Sequence, residues 1–268
     1  MNFRIRRLVC VGSVLVLFLL TGFHSTAQSS DSSEPTGRDS RGLNVIRKAL
    51  SAMGVATNAT LSSFRAEGTK TRSWNGKDLP EQSFRWTFSG TEFRMENSDH
   101  GQTNAFATNH GDPRSSNSKF GRVPIHVARA NGALTVPAMR LMLIQNQTAI
   151  LVSSPTQVTI NGTSFIHIQT CECGDKIGKI VTVQNWYFDP QTYLPSQVVV
   201  RNPSFHNAVE FTEGTIAFSG YSSVDGILTP LRIHYTQTDG LITDMTITKA
   251  KYNSDVASAE FEISSEAR

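Results

Sequence analysis

Apolar positions in this chain first recur at helical spacing and then switch to strand spacing. Leu43, Ile46, Leu50 and Met53 lie three or four residues apart and stop at Gly54. They predict an amphipathic helix whose apolar stripe needs a sheet to lie on. From residue 60 the period falls to two. Residues 64–74 and 83–89 are strand-like, and in the second Phe84, Trp86 and Phe88 alternate with Arg85 and Thr87. That alternation puts three aromatics on one face. Gly90 turns the chain into residues 91–96, where Phe93 and Met95 continue the apolar side. Residues 97–122 are rich in Asn, Ser, Gly and His and predict mostly loop, with a short strand at 103–108.

A second helical stretch falls within residues 123–147. Pro137 fits a first-turn proline, and residues 138–144 are very apolar but too short to span a bilayer. This segment is either a buried core helix or a movable lid. Met139 and Met142 suit both, because methionine adapts to irregular apolar surfaces. From Thr148 the pattern is almost wholly β: 149–153, 157–160, 164–171, 179–188, 208–221, 230–238 and 241–252. Asn161-Gly162 and Asp239-Gly240 are tight-turn dipeptides. Leu231, Ile233 and Tyr235 alternate with Arg232 and His234. Met245 and Ile247 alternate with Asp244 and Thr246, so these strands are apolar on one side only.

The most definite local structure is a hairpin over residues 185–200. Aromatic and β-branched residues fill both arms, and Asp189-Pro190-Gln191-Thr192 between them has the chemistry of a type I turn. Pro195 sits near the start of the returning strand, where a missing N–H is tolerated. No repeat of fixed period and no interior linker appears, so residues 41–268 predict one domain. Residues 28–40 are Ser-rich, polar and broken by Pro35 and Gly37, and predict a disordered leader.

Charge changes the picture at the start of the chain. Arg4, Arg6 and Arg7 precede an apolar run from Leu8 to Leu20, and Ser25-Thr26-Ala27 places small residues at a signal-peptidase site. Residues 1–27 therefore predict a cleaved signal peptide, with a retained membrane anchor as the alternative. The chain has 25 Lys and Arg residues; without those three arginines, 22 basic residues face 22 acidic ones. Such a neutral body argues against nucleic acid or an anionic membrane as main partner. An exported protein, periplasmic or extracellular and not integral to the membrane after cleavage, follows.

Candidate chemistry is sparse. Cys171 and Cys173 are the only cysteines beyond Cys10 of the signal segment. In an oxidising compartment they can pair across Glu172, helped by a turn beginning at Gly174 and Asp175. Phe165, His167, Gln169, Cys171 and Cys173 share one strand face, but His167 lies roughly 13 Å from Cys171 along an extended strand, too far to close a metal site. His100 and His110, with Asp99 and Asp112 beside them, flank the strand at 103–108 and read as a solvated loop. No nucleophile elbow, zincin motif or phosphate-cradling glycine loop is present, so no metal, no cofactor and no enzyme activity is expected. Asn58-Ala59-Thr60, Asn146-Gln147-Thr148 and Asn161-Gly162-Thr163 match a glycosylation acceptor, which matters only in a host that glycosylates exported proteins.

Two stretches carry a family resemblance: Trp186-Tyr187-Phe188-Asp189-Pro190-Gln191-Thr192-Tyr193-Leu194-Pro195 and Val224-Asp225-Gly226-Ile227-Leu228-Thr229-Pro230. A strand ending in Asp-Pro, a few residues, Leu-Pro, and a later strand entered through Asp-Gly and Pro resemble the LolA-like superfamily of periplasmic lipoprotein carriers and outer-membrane lipoprotein-sorting proteins. The polar insertion at 97–122 and the Cys171–Cys173 pair depart from that pattern. The resemblance implies an α+β, mainly antiparallel fold: an incomplete (half) β-barrel with covering helices, curved around a hydrophobic cavity. Phe84, Trp86, Phe88, Phe93, Met95, Leu231, Ile233, Tyr235, Met245 and Ile247 would line its concave face, with Met139 and Met142 above. That set either fills an ordinary core or leaves a cavity, as a curved sheet too wide to fill itself does. The first alternative makes the protein an envelope protein–protein interaction module. The second makes it a non-enzymatic carrier of a lipid, an acyl chain or an acylated protein.

Overall fold

Turns with two successive left-handed residues organise the sheet. Asn75-Gly76, Asn161-Gly162 and Asp225-Gly226 have positive φ at both positions, the geometry of type I′ hairpin turns. The computed structural model describes residues 35–99, 101–109, 112–116, 134–174, 182–203 and 210–263, all within one unit of the chain, 31–268. The expected signal peptide lies outside the described residues. Among these residues are helices α1 (Ser40–Ala52) and α2 (Pro137–Asn146) and a C-terminal 3-10 turn (Ser258–Phe261). The strands are β1 (Ser63–Trp74), β2 (Lys77–Ser89), β3 (Glu92–Asp99), β4 (Gln102–Asn109), β5 (Asp112–Ser115), β6 (Leu151–Val152), β7 (Thr156–Ile160) and β8 (Thr163–Cys171). They continue with β9 (Gln184–Phe188), β10 (Pro195–Pro203), β11 (Phe211–Val224), β12 (Ile227–Gln237) and β13 (Leu241–Tyr252).

The strands make one antiparallel sheet in the order β5-β4-β3-β2-β1-β13-β12-β11-β10-β9-β8-β6, with β7 also on β8. It is therefore two meanders joined at the β1–β13 pair, where Phe64 lies opposite Tyr252 and Trp74 opposite Leu241. The order ends at β5 and β6 without closure, which makes the sheet an open half-barrel. The expected α+β architecture with covering helices is the observed one.

Differences from expectation have local causes. Strand β2 begins six residues earlier than expected, because Asn75-Gly76 closes a hairpin whose first part, 77–81, is exposed or half-exposed and so lacks an apolar signature. The expected short strand at 103–108 is β4, and it pairs with an extension of β3 where loop was expected: polar Asn97, Ser98 and Asp99 pair with Asn104, Thr103 and Gln102. Backbone pairing at a half-wet sheet end needs no apolar alternation. At the hairpin over 185–200, the Asp189 carboxylate accepts from the N–H groups of Gln191 (2.9 Å) and Thr192 (2.7 Å). The Asp189 carbonyl accepts from Tyr193 N–H (2.9 Å) rather than from Thr192. The turn is thus one residue wider than expected, and Tyr193 takes a left-handed φ of 60°.

Helix α1 is started by Asp39, whose carboxylate accepts from the N–H groups of Arg41 (2.8 Å) and Gly42 (3.2 Å). Hydrogen bonds from Ser154 and then Arg41 hold that carboxyl well below the usual range. The helix buries Val45, Ile46, Ala49 and Leu50. A side chain at Gly42 would meet the Ser153 carbonyl at 2.2 Å, so glycine is what lets α1 lie against the sheet edge. Residues 35–39 of the expected leader are built into this edge: Pro35 is buried and Arg38 bridges Val152. Residues 28–34 lie outside the described residues.

Candidate functional site: the concave face

Residues opposite one another in an antiparallel sheet share a face, so the strand registers define the concave surface directly. At the end of the barrel nearest the C-terminus of α1 it is aromatic. Phe88 lies opposite Phe64 and Phe93, and Trp86 opposite Ala66 and Met95. The rings follow one another along this face: Phe84–Trp86 centroids are 4.3 Å apart and stacked, Trp86–Phe88 6.4 Å, Phe88–Phe93 6.3 Å and Phe93–Phe106 5.5 Å. On the other meander Trp186 stacks with Phe188 at 6.3 Å and with Phe218 at 6.4 Å.

The predicted lining residues are brought together. Phe84, Trp86, Phe88, Phe93, Met139, Met142, Ile233 and Ile247 are buried in one hydrophobic cluster. Met95, Leu231, Tyr235 and Met245 are partly buried against it. Trp86 is 1% exposed, so it is enclosed by neighbours in this state.

Helix α2 is apolar nearly all round, with Pro137, Ala138, Met139, Arg140, Leu141, Met142 and Ile144 all buried, as expected for a helix enclosed on every side. Two polar devices hold it. At its C-terminal end the Arg38 guanidinium donates to the carbonyls of Ile144 (3.0 Å), Gln145 (2.9 Å), Gln147 (2.5 Å) and Ile150 (2.6 Å). The first two are among the carbonyls that a helix end leaves without intrahelical partners, and a cation there also suits the helix dipole. Within the helix, Arg140 is fully enclosed. Its Nε donates to Gln184 Oε1 (3.1 Å), and its guanidinium lies 3.5 Å from the Glu172 carboxylate. Burial pulls the Arg140 pKa down, and Glu172 opposes that shift. Gln184 Oε1 also accepts from Trp186 Nε1 (3.2 Å).

Cys171 and Cys173 form a disulfide with Cα atoms 5.2 Å apart, on either side of Glu172. Thr182 Oγ1 accepts from the Glu172 N–H (2.9 Å), so the loop that presents Glu172 to Arg140 is fixed from both sides. His167 Nε2 donates to Asn185 Oδ1 (3.1 Å) and the ring stacks on Tyr187; burial lowers its pKa, with Asn185 opposing. Among the described residues no His, Cys, Asp or Glu group is arranged to hold a metal. His100 and His110 lie outside them.

The convex face carries a different feature, a cleft of about 420 Å³ lined by Arg65, Glu67, Arg85, Arg94, Glu96 and Glu260. Its charges neutralise one another: Arg65–Glu260 2.7 Å, Arg94–Glu96 2.7 Å, Arg85–Glu67 3.3 Å. Arg94 also donates to the carbonyls of Glu260 (3.1 Å) and Glu262 (2.8 Å), tying down the C-terminal 3-10 turn. This network is a solvated clasp for the chain end.

A LolA superfamily protein from Nitrosomonas europaea superposes with a TM-score of 0.52 over 84% of this chain and 99% of its own, at 10% identity. The fold is LolA-like. Two weaker superpositions are a DUF1329 family protein from Desulfovibrio piger (TM-score 0.47, 14% identity, 82% of this chain and 95% of that one) and a domain named for outer-membrane lipoprotein sorting from Vibrio parahaemolyticus (0.48, 12%, 82% and 95%). No protein-family model and no curated protein matches the sequence. The LolA-like arrangement matches the expected half-barrel with covering helices. No helix among the described residues is long and apolar enough to cross a membrane.

Arg38, Lys70, Arg72, Arg140 and Gln184 were not among the sequence-predicted site residues. Arg140 stands inside an apolar run and Lys70 inside an alternating polar stretch, Thr69-Lys70-Thr71-Arg72. The available signal was phase: Phe64, Ala66, Gly68, Lys70 and Arg72 continue one side of a single strand.

Proposed function

We propose that the protein is an exported, non-enzymatic carrier that holds a lipid, an acyl chain or an acylated protein against the concave face beneath α1 and α2. The observation that carries this reading is the unbroken row of rings Phe84–Trp86–Phe88–Phe93–Phe106, in one hydrophobic cluster with a helix that is apolar nearly all round. Each methylene transferred onto such a surface contributes about 0.8 kcal/mol, so one long chain binds without polar contacts. Because the rings are covered in this state, entry requires α2 to leave its place and expose Met139 and Met142. The signal segment, the LolA-like fold and the balanced charge of the body support a periplasmic site of action.

One observation favours the alternative, an envelope protein–protein interaction module with a filled core: Phe84, Trp86, Phe88 and Phe93 are each no more than 3% exposed. Native mass spectrometry of the protein, purified without detergent from its own exported compartment, separates the two. The carrier reading expects a bound mass of several hundred daltons that is lost on denaturation and identified as lipid. An unliganded mass that stays unchanged when lipid is supplied would favour the module.

A further inference from the structure

The concave face is not uniform along its strands. On β1, β2, β3, β9 and β12, side chains on this face change from apolar to polar in the direction away from the α1 C-terminus, with Trp74 and Leu241 lying beyond the change at the far end of the β1–β13 pair. Strand β2 reads Phe88, Trp86, Phe84, Gln82; β3 reads Phe93, Met95, Asn97, Asp99; β9 reads Phe188, Trp186, Gln184; β12 reads Ile233, Tyr235, Gln237. Strand β1 shows the sharpest change. Phe64, Ala66 and Gly68 are buried, and the next two residues on that side are Lys70 and Arg72. Lys70 lies opposite Gln82 on one side and Met245 on the other, and Arg72 lies opposite Thr243 of β13. The face is thus amphiphilic in one direction, with hydrocarbon at one end and two cations at the other.

These two cations are not provided for as Arg140 is. Among the described residues no carboxylate pairs with Lys70. Its strongest charged neighbour is Arg72, which repels it, and burial together with that repulsion brings its pKa down to about 7. Arg72 feels Asp99, yet its Nε is enclosed without a hydrogen-bond partner. Placing a half-enclosed lysine beside an arginine costs stability unless an anion arrives. Convex-face cations such as Arg65, Arg85, Arg94 and Lys249 all have carboxylates within 4 Å. We infer that Lys70 and Arg72 form the headgroup site for an acidic amphiphile, a carboxylate or phosphate whose hydrocarbon lies along the aromatic row. This rests on the carrier reading and specifies it: the cargo is anionic at one end, and it enters with its tail toward the C-terminal end of α1.

Calorimetric titration of the folded, lipid-free protein with four probes tests the assignment: hexadecanoate, its methyl ester, palmitoyl lysophosphatidate and inorganic phosphate. Charge-assisted hydrogen bonds from one or two cations should make the acidic amphiphiles bind at least about tenfold more tightly than the ester. Which of the two binds more tightly tells carboxylate from phosphate. Lys70→Met with Arg72→Met should abolish the preference while ester affinity and the thermal transition are kept or improved; Lys70→Arg should retain the preference. A site that only holds the fold together would instead lose stability in the double variant. Equal affinity for ester and acids in the native protein, or a preference that survives the double variant, overturns the headgroup site and leaves the carrier reading standing. Inorganic phosphate binding as tightly as lysophosphatidate overturns the amphiphile and points to a free anion. Failure of all four probes overturns both readings.

Discussion

Arg140 and Lys70 are both cations withdrawn from water, the first fully and the second partly, and the protein treats them in opposite ways. Arg140 has Gln184 and Glu172, and Glu172 is held in place by the Cys171–Cys173 disulfide and Thr182. Lys70 has Gln82 and Met245 opposite it and a second cation beside it. A buried charge with fixed partners belongs to the architecture, because breaking the set strands the charge. A half-buried charge without an anion lowers stability, and proteins retain such groups where a ligand supplies what is missing. The first cation locks the covering helix; the second marks one end of the surface that the helix covers.

The contrast can be broken most forcefully at Gln184. Gln184→Leu strands Arg140 Nε and Trp186 Nε1 together, leaving Arg140 only Glu172 among the described residues, and should cost about 3 kcal/mol in urea unfolding. A loss below about 1 kcal/mol would mean that Arg140 does not depend on this network. Arg38→Ala should come next, at about 2 kcal/mol, because four carbonyls at and just beyond the end of α2 lose their donor. Amide exchange should accelerate in α2 and not in α1 if Arg38 acts on that helix alone.

Replacing Cys173 by serine opens a closed loop of only three residues, for which the chain-entropy contribution is about 1.5 kcal/mol. A larger loss would show that the clip also positions Glu172 for Arg140, and Glu172→Gln made alongside it would then add little.

The smallest effect has the opposite sign. Lys70→Met should raise stability by about 1 kcal/mol below pH 7, a figure discounted for the part of the side chain that meets solvent. Lys70 binds its proton more weakly when folded, with a pKa of about 7, than when unfolded, at 10.5. The penalty is therefore fully present below pH 7 and is relieved as pH rises from 7 toward 10.5. The groups facing it are Arg72 on its own strand, Gln82 on β2 and Met245 on β13, with Asp99 of β3 acting on Arg72 and Tyr235 on β12 beyond them. Of these only Asp99 opposes the cations, so the gain from Lys70→Met should shrink steadily with pH. Urea unfolding of both proteins from pH 6 to pH 10 checks this, and a constant difference would refute it.

Much of the fold was legible from alternation and turn chemistry. Strand β13 begins and ends where the pattern of Leu241, Met245 and Ile247 predicts, and the α1 stripe of Ile46, Leu50 and Met53 is buried as expected. The end of β3 and the early part of β2 were less legible, because their residues pair through backbone at a wet sheet end and leave no apolar signature. Of the candidate site, the aromatic row could be named from sequence, since Phe84, Trp86 and Phe88 are neighbours two apart on one strand. The devices that control it could not. Arg38 reaches Ile144 across more than a hundred residues, and Arg140 reaches Gln184 across forty-four.

Where strands turn, which side of each is apolar, and which helix must lie on them can be read from the chain alone. Those properties depend on backbone dihedral preference and a period of two or 3.6, both local. The alignment of the apolar-to-polar change on β1 with the same change on β2, β3, β9 and β12 exists only in the assembled sheet. Register between strands places residues from distant parts of the chain at one end of the barrel, and no local pattern encodes that alignment. The same holds for partnership: whether a cation drawn partly or wholly out of water finds a carboxylate depends on what the fold brings against it.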